Sequence, residues 1–253
     1  MSSNLFVGQC VIKLAIVDST NNYARALIRD KMPIEGTVII ADSQTGGRGQ
    51  RSNSWSSEPG LNLTCSYILN PAFLSATNQF ALSATVALSV FDTIRKFAPS
   101  NDVKIKWPND ILIGDRKIAG ILIENSLKRF NLDTSIVGIG INVNQNDFDS
   151  NLNATSIKKI TNQKLDLEDV LKTLNENLEK HYLRLRNGKG AEIINALNEN
   201  LFRLGENRLL SINGEEETVQ ILGTSVSGEL KLLRRNGETT LHQHHEIDWN
   251  LNP

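Results

Sequence analysis

Residues 42–55 read DSQTGGRGQRSNSW, a stretch with three glycines, two arginines and little else but small polar residues. Glycine lets the main chain take positive φ and come close to a ligand, and Arg48 and Arg51 carry planar, permanently charged forks suited to phosphate or carboxylate. The same composition also fits an ordinary surface turn with two solvated arginines, so its flanks have to decide. GTVIIA at 36–41 reads as a buried strand entering the loop, and LNLTCSYIL at 61–69 as the strand leaving it. The loop is therefore anchored at both ends.

Working outward, CVIKLAIV (10–17) is another strand, ending at Asp18-Ser19-Thr20-Asn21-Asn22, after which YARALIRD has helical spacing. The polar cluster sits at a helix start, where it either caps free amides or faces a ligand with its hydroxyls. A helix rich in small and apolar residues covers 78–97 and should pack deep against a sheet. VKIKW (103–107) meets Pro108, which cannot donate to a ladder, so the chain kinks there and presents Asn109 and Asp110 at a strand end. A hairpin follows through Gly114-Asp115 into RKIAGILIEN, and TSIVGIGIN (134–142) is a further strand. In it Gly138 and Gly140 lie on one face, so something can approach that face closely. The Asn-rich run 142–162 reads as a long polar loop, Asp166 opens a helix, and a shorter helix covers 191–201. From Gly205 the texture becomes short β-like runs, expected to form a small barrel that docks on the main domain. The expected division is 1–204 for a mixed-sheet α/β domain and 205–253 for the barrel.

At 253 residues and 40% hydrophobic, the chain can build one large core plus an appendage. The net charge of -1, from intermixed acidic and basic residues, argues against a nucleic-acid or membrane-surface protein. Cys10 and Cys65 lack ligand spacing and read as cytosolic thiols. The start MSSNLFVGQC lacks the features of a secretion signal, and no apolar run is long enough to span a membrane. The expected location is the cytoplasm. His181 is assigned no role, and His242, His244 and His245 are expected on a solvated strand rather than around a metal.

DST at 18–20, QTGGRG at 44–49, KWPND at 106–110, RKIAGILIE at 116–124 and GIGIN at 138–142 together resemble the biotin protein ligases, five motifs in that family's order. The resemblance runs from about residue 10 to the end. It implies an α/β catalytic domain of the biotin/lipoate ligase type followed by a small SH3-like β-barrel. It also implies an enzyme that makes biotinyl-5′-AMP from biotin and ATP with Mg2+, then transfers biotin to one lysine of a biotin carboxyl carrier domain of a carboxylase. Arg48 and Lys117 would lie along the biotin carboxylate and α-phosphate, with Gly47 and its neighbours alongside. Ser19, Thr20 and Gln44 would bind the ureido ring, and Gly120 and Gly140 would leave room for biotin. Trp107 would shape the biotin pocket, and Arg51, Trp55, Asn109 and Asn142 the nucleotide pocket. Asp110 is the candidate that receives the proton of the acceptor amine, with orientation of Lys106 or the loop by a salt bridge as its other reading. Metal ligands are not identified, and the protein is expected as a monomer or homodimer.

The family's usual loop runs GRGRxGRxW, whereas Gln50, Ser52 and Asn53 stand here for an arginine, a glycine and an arginine. A less basic loop is expected to hold the intermediate less tightly. A lipoate-protein ligase shares the fold but is not expected to carry GRG with KWPND, and a non-catalytic biotin-binding or carrier-binding protein would not need both Arg48 and Lys117. About ten residues precede the first strand, so no operator-binding winged helix, and no repressor function, is expected.

Overall fold

The structure is a computed structural model that describes residues 4–50 and 53–249. Arg51 and Ser52, and the expectations attached to them, lie outside the described residues. The chain runs β1 (Val11–Val17), α1 (Thr20–Lys31), β2 (Val38–Gln44), β3 (Leu63–Leu69), α2 (Phe80–Phe97), β4 (Val103–Lys106), β5 (Asp110–Ile113), β6 (Arg116–Lys128) and β7 (Asn131–Ile141). Three helices follow, α3 (Ile157–Thr161), α4 (Leu167–Arg186) and α5 (Gly190–Glu199), and then β8 (Asn207–Ile212), β9 (Glu215–Thr224), β10 (Leu230–Leu233), β11 (Thr239–His242) and β12 (Ile247–Asp248).

The first seven strands form one mixed sheet in the order β1-β2-β3-β7-β6-β5-β4, with β1 and β2 parallel and the other pairs antiparallel. β3 lies inside the sheet between β2 and β7 and is buried along its whole length, its apolar residues interrupted by Thr64 and by Ser66, whose hydroxyl is bonded to Thr20 and Asn21. α2 lies against this sheet and beneath α4 and α5, so it is buried on most faces. α1 covers the opposite face, where Ala24 packs with Ile39, Ile68 and Ile136. The Glu179 carboxylate on α4 accepts from the backbone amides of Leu5, Phe6 and Val7 at 2.7–3.0 Å and so ties down the chain leading into β1.

The last five strands form a second, antiparallel sheet, β11-β10-β9-β8-β12, a small barrel-like unit. Its Leu210, Val219, Ile221, Leu230, Leu232 and Trp249 join the same apolar cluster as the main sheet. The indole of Trp107 donates to the Gly228 carbonyl at 2.9 Å, which fixes the barrel beside the KWPND turn.

Three expectations need correction. Asp42 to Gln44 continue β2, so the glycine loop starts at Thr45. The polar run 142–162 is a loop only up to α3, and its two ends are interior: Asn142, Asn144, Gln145, Thr155 and Ser156 are buried. Their side chains replace a ladder, for example Asn144, which donates to Leu165 O at 2.9 Å and accepts from Leu165 N at 3.0 Å. His242 is buried, with its Nε2 2.8 Å from Thr240 Oγ1, at the end of the otherwise largely exposed β11, and His244 and His245 stand in the turn after that strand. Among the described residues no helix is long and apolar enough to cross a membrane.

Candidate functional site

A cavity of about 630 Å³ opens where the C-terminal end of β2, the glycine loop, the KWPND turn and the barrel converge. Its polar floor comes from the start of α1. Ser19 occupies the N-cap position, yet its side chain makes no capping bond. Thr20 instead donates to Gln44 Oε1 from both its amide (2.7 Å) and its hydroxyl (3.1 Å), and Ser66 Oγ lies 2.7 Å from Thr20 Oγ1 and 2.6 Å from Asn21 Oδ1. Of the two readings of this cluster, the one facing a cavity fits: Ser19, Thr20 and Gln44 all line it.

KWPND forms the tight connection between β4 and β5, with Lys106 opposite Asp110 in the ladder and a cis bond between Trp107 and Pro108. Asp110 in turn pairs with Gly120 of β6. The Asp110 carboxylate meets Lys117 Nζ at 2.7 Å rather than Lys106. Lys106 lies over the Trp249 ring of the barrel, 5.7 Å from its centroid, and burial is the main cause holding its ammonium below the usual lysine range. Asn109 lines the cavity while its amide donates to Ile121 O at 2.8 Å, which braces the turn against β6.

The glycine loop folds back as a narrow hairpin. Gly49 N donates to Asn53 O at 2.7 Å, and Trp55 N donates to Gly47 O at 3.0 Å. This brings the Trp55 ring onto the glycine face of the sheet, where a Cβ at Gly120 would meet it at 3.2 Å and a Cβ at Gly140 would run into the indole. Lys117 Nζ stands 5.9 Å from the centroid of that ring. The open space expected over Gly120 and Gly140 is thus occupied by Trp55, whose buried indole N–H has no partner. Arg48 also lines the cavity, but its guanidinium reaches Glu124 Oε1 (2.9 Å) and Asn22 Oδ1 (2.8 Å).

The cavity therefore gathers most of the residues expected there, among them Arg48, Trp55, Trp107, Asp110 and Lys117. Gly47 faces an adjoining hollow on the outer side of the loop. Asn142 does not line the cavity: it is buried and donates to Thr155 O at 3.0 Å. Missed by the sequence reading were Asn21 and the barrel's contribution, in which Asn213, His244, His245 and Trp249 form one wall. Proximity of the barrel to KWPND was not legible in either segment alone. Cys65 also borders the cavity, but burial pushes its thiol up to about 12, so it is no nucleophile.

A mixed sheet whose glycine face is closed over by a loop and a small barrel, leaving a cavity lined by Arg48, Lys106 and Lys117 together with Asp110, defines an α/β protein with a polar ligand-sized cleft. The chain belongs to the biotin/lipoate A/B protein ligase family, whose model matches residues 14–142. It is similar to the biotin protein ligase of Aquifex aeolicus solved in complex with biotin and ATP, at 28% identity and a TM-score of 0.80 over 95% of this chain and 98% of that one. Among curated relatives it is 40% identical over 181 residues to the bifunctional ligase/repressor BirA of Bacillus subtilis, covering 70% of this chain and 54% of the relative. It is 28% identical over 176 residues to the biotin--[acetyl-CoA-carboxylase] ligase of Mycobacterium tuberculosis, covering 69% and 64%. The chain thus spans about half the length of the first of these curated relatives.

Proposed function

We propose that this chain is an ATP-dependent ligase that activates biotin as biotinyl-5′-AMP and transfers it to a lysine of a biotin carboxyl carrier domain. The observation that carries the reading is the convergence of Lys117, the Arg48 loop and the Ser19–Thr20–Gln44 floor on one cavity. A polar floor suits a neutral ureido group, and the cations above it suit a carboxylate and a phosphate.

In the first step a biotin carboxylate oxygen bonds to the α-phosphorus of ATP, and the bond from that phosphorus to pyrophosphate breaks. Two anions must approach, so the site has to supply fixed positive charge and alignment. Lys117 stands on a strand and is held by Asp110, which gives its ammonium a defined position. Arg48 adds a second cation from the glycine loop. Trp55 would leave the glycine face as biotin enters, and its free indole N–H is available to a ligand.

In the second step the amine nitrogen of the acceptor lysine bonds to the biotinyl carbonyl carbon and AMP leaves with the electron pair of the broken C–O bond. An unperturbed lysine is less than about 0.1% neutral at pH 7, so a nearby carboxylate helps by taking the proton. Asp110 lines the cavity and is assigned that role. A magnesium ion would come with the nucleotide's phosphates, where one or two carboxylates suffice to hold it and it would neutralise charge on the leaving pyrophosphate. Repression, the second activity in the Bacillus relative's name, is not part of this proposal.

The test is ATP-dependent labelling of a purified carboxyl carrier domain with biotin, with lipoate as competitor, together with biotin-dependent exchange of pyrophosphate into ATP. Labelling that lipoate suppresses and biotin does not support would replace the reading with lipoate ligation. Binding of biotin without pyrophosphate exchange would reduce the protein to a non-catalytic binder.

A further inference from the structure

The Arg48 guanidinium shares both of its side-chain acceptors with a second arginine. Glu124 Oε1 accepts from Arg48 at 2.9 Å and from Arg25 of α1 at 2.6 Å, while Asn22 Oδ1 accepts from Arg48 at 2.8 Å and from Arg25 at 3.2 Å. The other Glu124 oxygen accepts from Asn21 Nδ2 at 2.9 Å, and Asn21 belongs to the polar floor of the cavity. The Glu124 side chain is only 23% exposed, less than either arginine. A carboxylate in that position is costly to leave without a cation.

One carboxylate between two guanidinium groups has a particular consequence. If Arg48 turns toward a ligand carboxylate or phosphate, Arg25 stays on the same Glu124 oxygen and the carboxylate keeps a counter-ion. If Arg25 were absent, every departure of Arg48 would strand Glu124. We propose that Glu124 and Arg25 form an exchange clasp for the glycine loop. Glu124 holds Arg48, and with it the hairpin, when no anion is bound; Arg25 takes over Glu124 when Arg48 moves to the ligand. Both act as positioning residues, through Arg48. The inference rests on the reading that the cavity binds an anionic substrate.

Two variants separate this device from simple structural support. Hydrogen exchange of the segment 45–56 in the ligand-free protein reports the hairpin directly, since Gly49 N and Trp55 N are bonded within it. Glu124→Gln is expected to speed that exchange about two- to fivefold, because the pair loses its charge. Arg25→Gln is expected to leave it unchanged or slower, because Glu124 is then held by Arg48 alone. The affinity for biotin in the presence of ATP should behave differently: Arg25→Gln weakens it several-fold, and the double variant Arg25→Gln/Glu124→Gln recovers most of that loss because no carboxylate remains to be stranded. If Arg25→Gln loosens the hairpin as much as Glu124→Gln does, or if Glu124→Gln leaves exchange unchanged, the clasp is wrong. Failure of the wild type to bind biotin would overturn the ligase reading instead, and the ligand-free exchange would still judge the clasp. Arg25 is exposed on a helix surface, so its variant tests the idea even if Glu124→Gln folds poorly.

Discussion

Lys117 of β6 reaches Asp110 of β5 along the edge of their ladder, Nζ to Oδ1 at 2.7 Å, so the cation expected to meet the substrate's anions and the carboxylate expected to receive the acceptor's proton are one ion pair. The two half-reactions should therefore separate by mutation. Lys117→Ala removes the fixed charge and is expected to lower biotin-dependent pyrophosphate exchange by at least about 10²-fold. Arg48→Ala should act in the same direction. Asp110→Asn should keep adenylate formation within about tenfold while slowing transfer to the carrier by about 10²-fold, the usual size of a lost proton acceptor. Single-turnover measurements of both steps decide it. Transfer by Asp110→Asn at the wild-type rate removes Asp110 from the mechanism, and wild-type exchange by Lys117→Ala would falsify the assignment of Lys117. Both side chains are partly exposed, so the variants should fold.

Gly140 is closed to side chains by Trp55, because a Cβ there would run into the indole. In Gly140→Ala the loop has to move, and the overlap of about 1–3 kcal/mol is relieved by displacing the hairpin instead of the sheet. The expected result is a KM for biotin raised about tenfold with the melting temperature changed by only a few degrees. Gly120→Ala, where the Cβ would meet the Trp55 ring and the Lys117 stem at 3.2 Å, should give a smaller effect in the same direction. A large loss of thermal stability in Gly140→Ala with unchanged KM would mean that the glycine serves packing alone.

Much of this arrangement was legible locally. The strands entering and leaving the glycine loop, the Pro108 break and the helix start at the 18–22 polar cluster are each set by a few adjacent residues and read correctly, and Gly138 and Gly140 announced a close approach without naming Asn21 and Trp55 as what approaches. What was not legible depends on partners far apart in sequence. Glu124 reads as one more polar residue near a strand end until folding brings it to Arg48 and Arg25. Asn142 stands in a motif that implied nucleotide contact, whereas its amide is bonded to Thr155. His244 reaches the cavity because the barrel docks through Trp107, and no pattern within the barrel states where it docks. The burial of Asn142 and Asn144 was not legible because composition cannot tell a solvated amide from one that replaces a ladder bond.

Asp92 on α2 and His181 on α4 join the two helices, His181 Nε2 to Asp92 Oδ2 at 2.9 Å. Burial raises the carboxyl's pKa, but the bond from His181 and the charges of His181, Lys180 and Arg95 outweigh it, so the carboxyl sits below its ordinary value of 3.8. A carboxylate with a depressed folded pKa stabilises the fold fully above its unfolded value, and that contribution is lost as the pH falls through the folded one. Asp92→Asn should therefore be less stable than the wild type at pH 7, by about 1–2 kcal/mol, with the difference shrinking once the pH drops below about 4. Urea midpoints measured from pH 7 downward check the sign; a gap that widens on acidification contradicts it.

Gln50 occupies the position where the family pattern carries an arginine, and it borders the main cavity as well as two adjoining hollows. Its carbonyl accepts from Asn53 N at 3.0 Å, so the residue sits within the hairpin turn and a longer side chain can extend from it without disturbing that bond. An arginine here would add a cation to Arg48, Lys106 and Lys117 around the cavity and would bind the phosphate of an adenylate by a charge-assisted bond that glutamine cannot make. Gln50→Arg is accordingly expected to slow release of biotinyl-5′-AMP into solution about tenfold in the absence of a carrier, while the rate of its formation changes much less. The measurement is the free adenylate appearing after one turnover, wild type beside variant. Equal release from both proteins means that this position does not govern retention, and faster release from the variant means that Gln50 already contributes a contact the arginine disrupts.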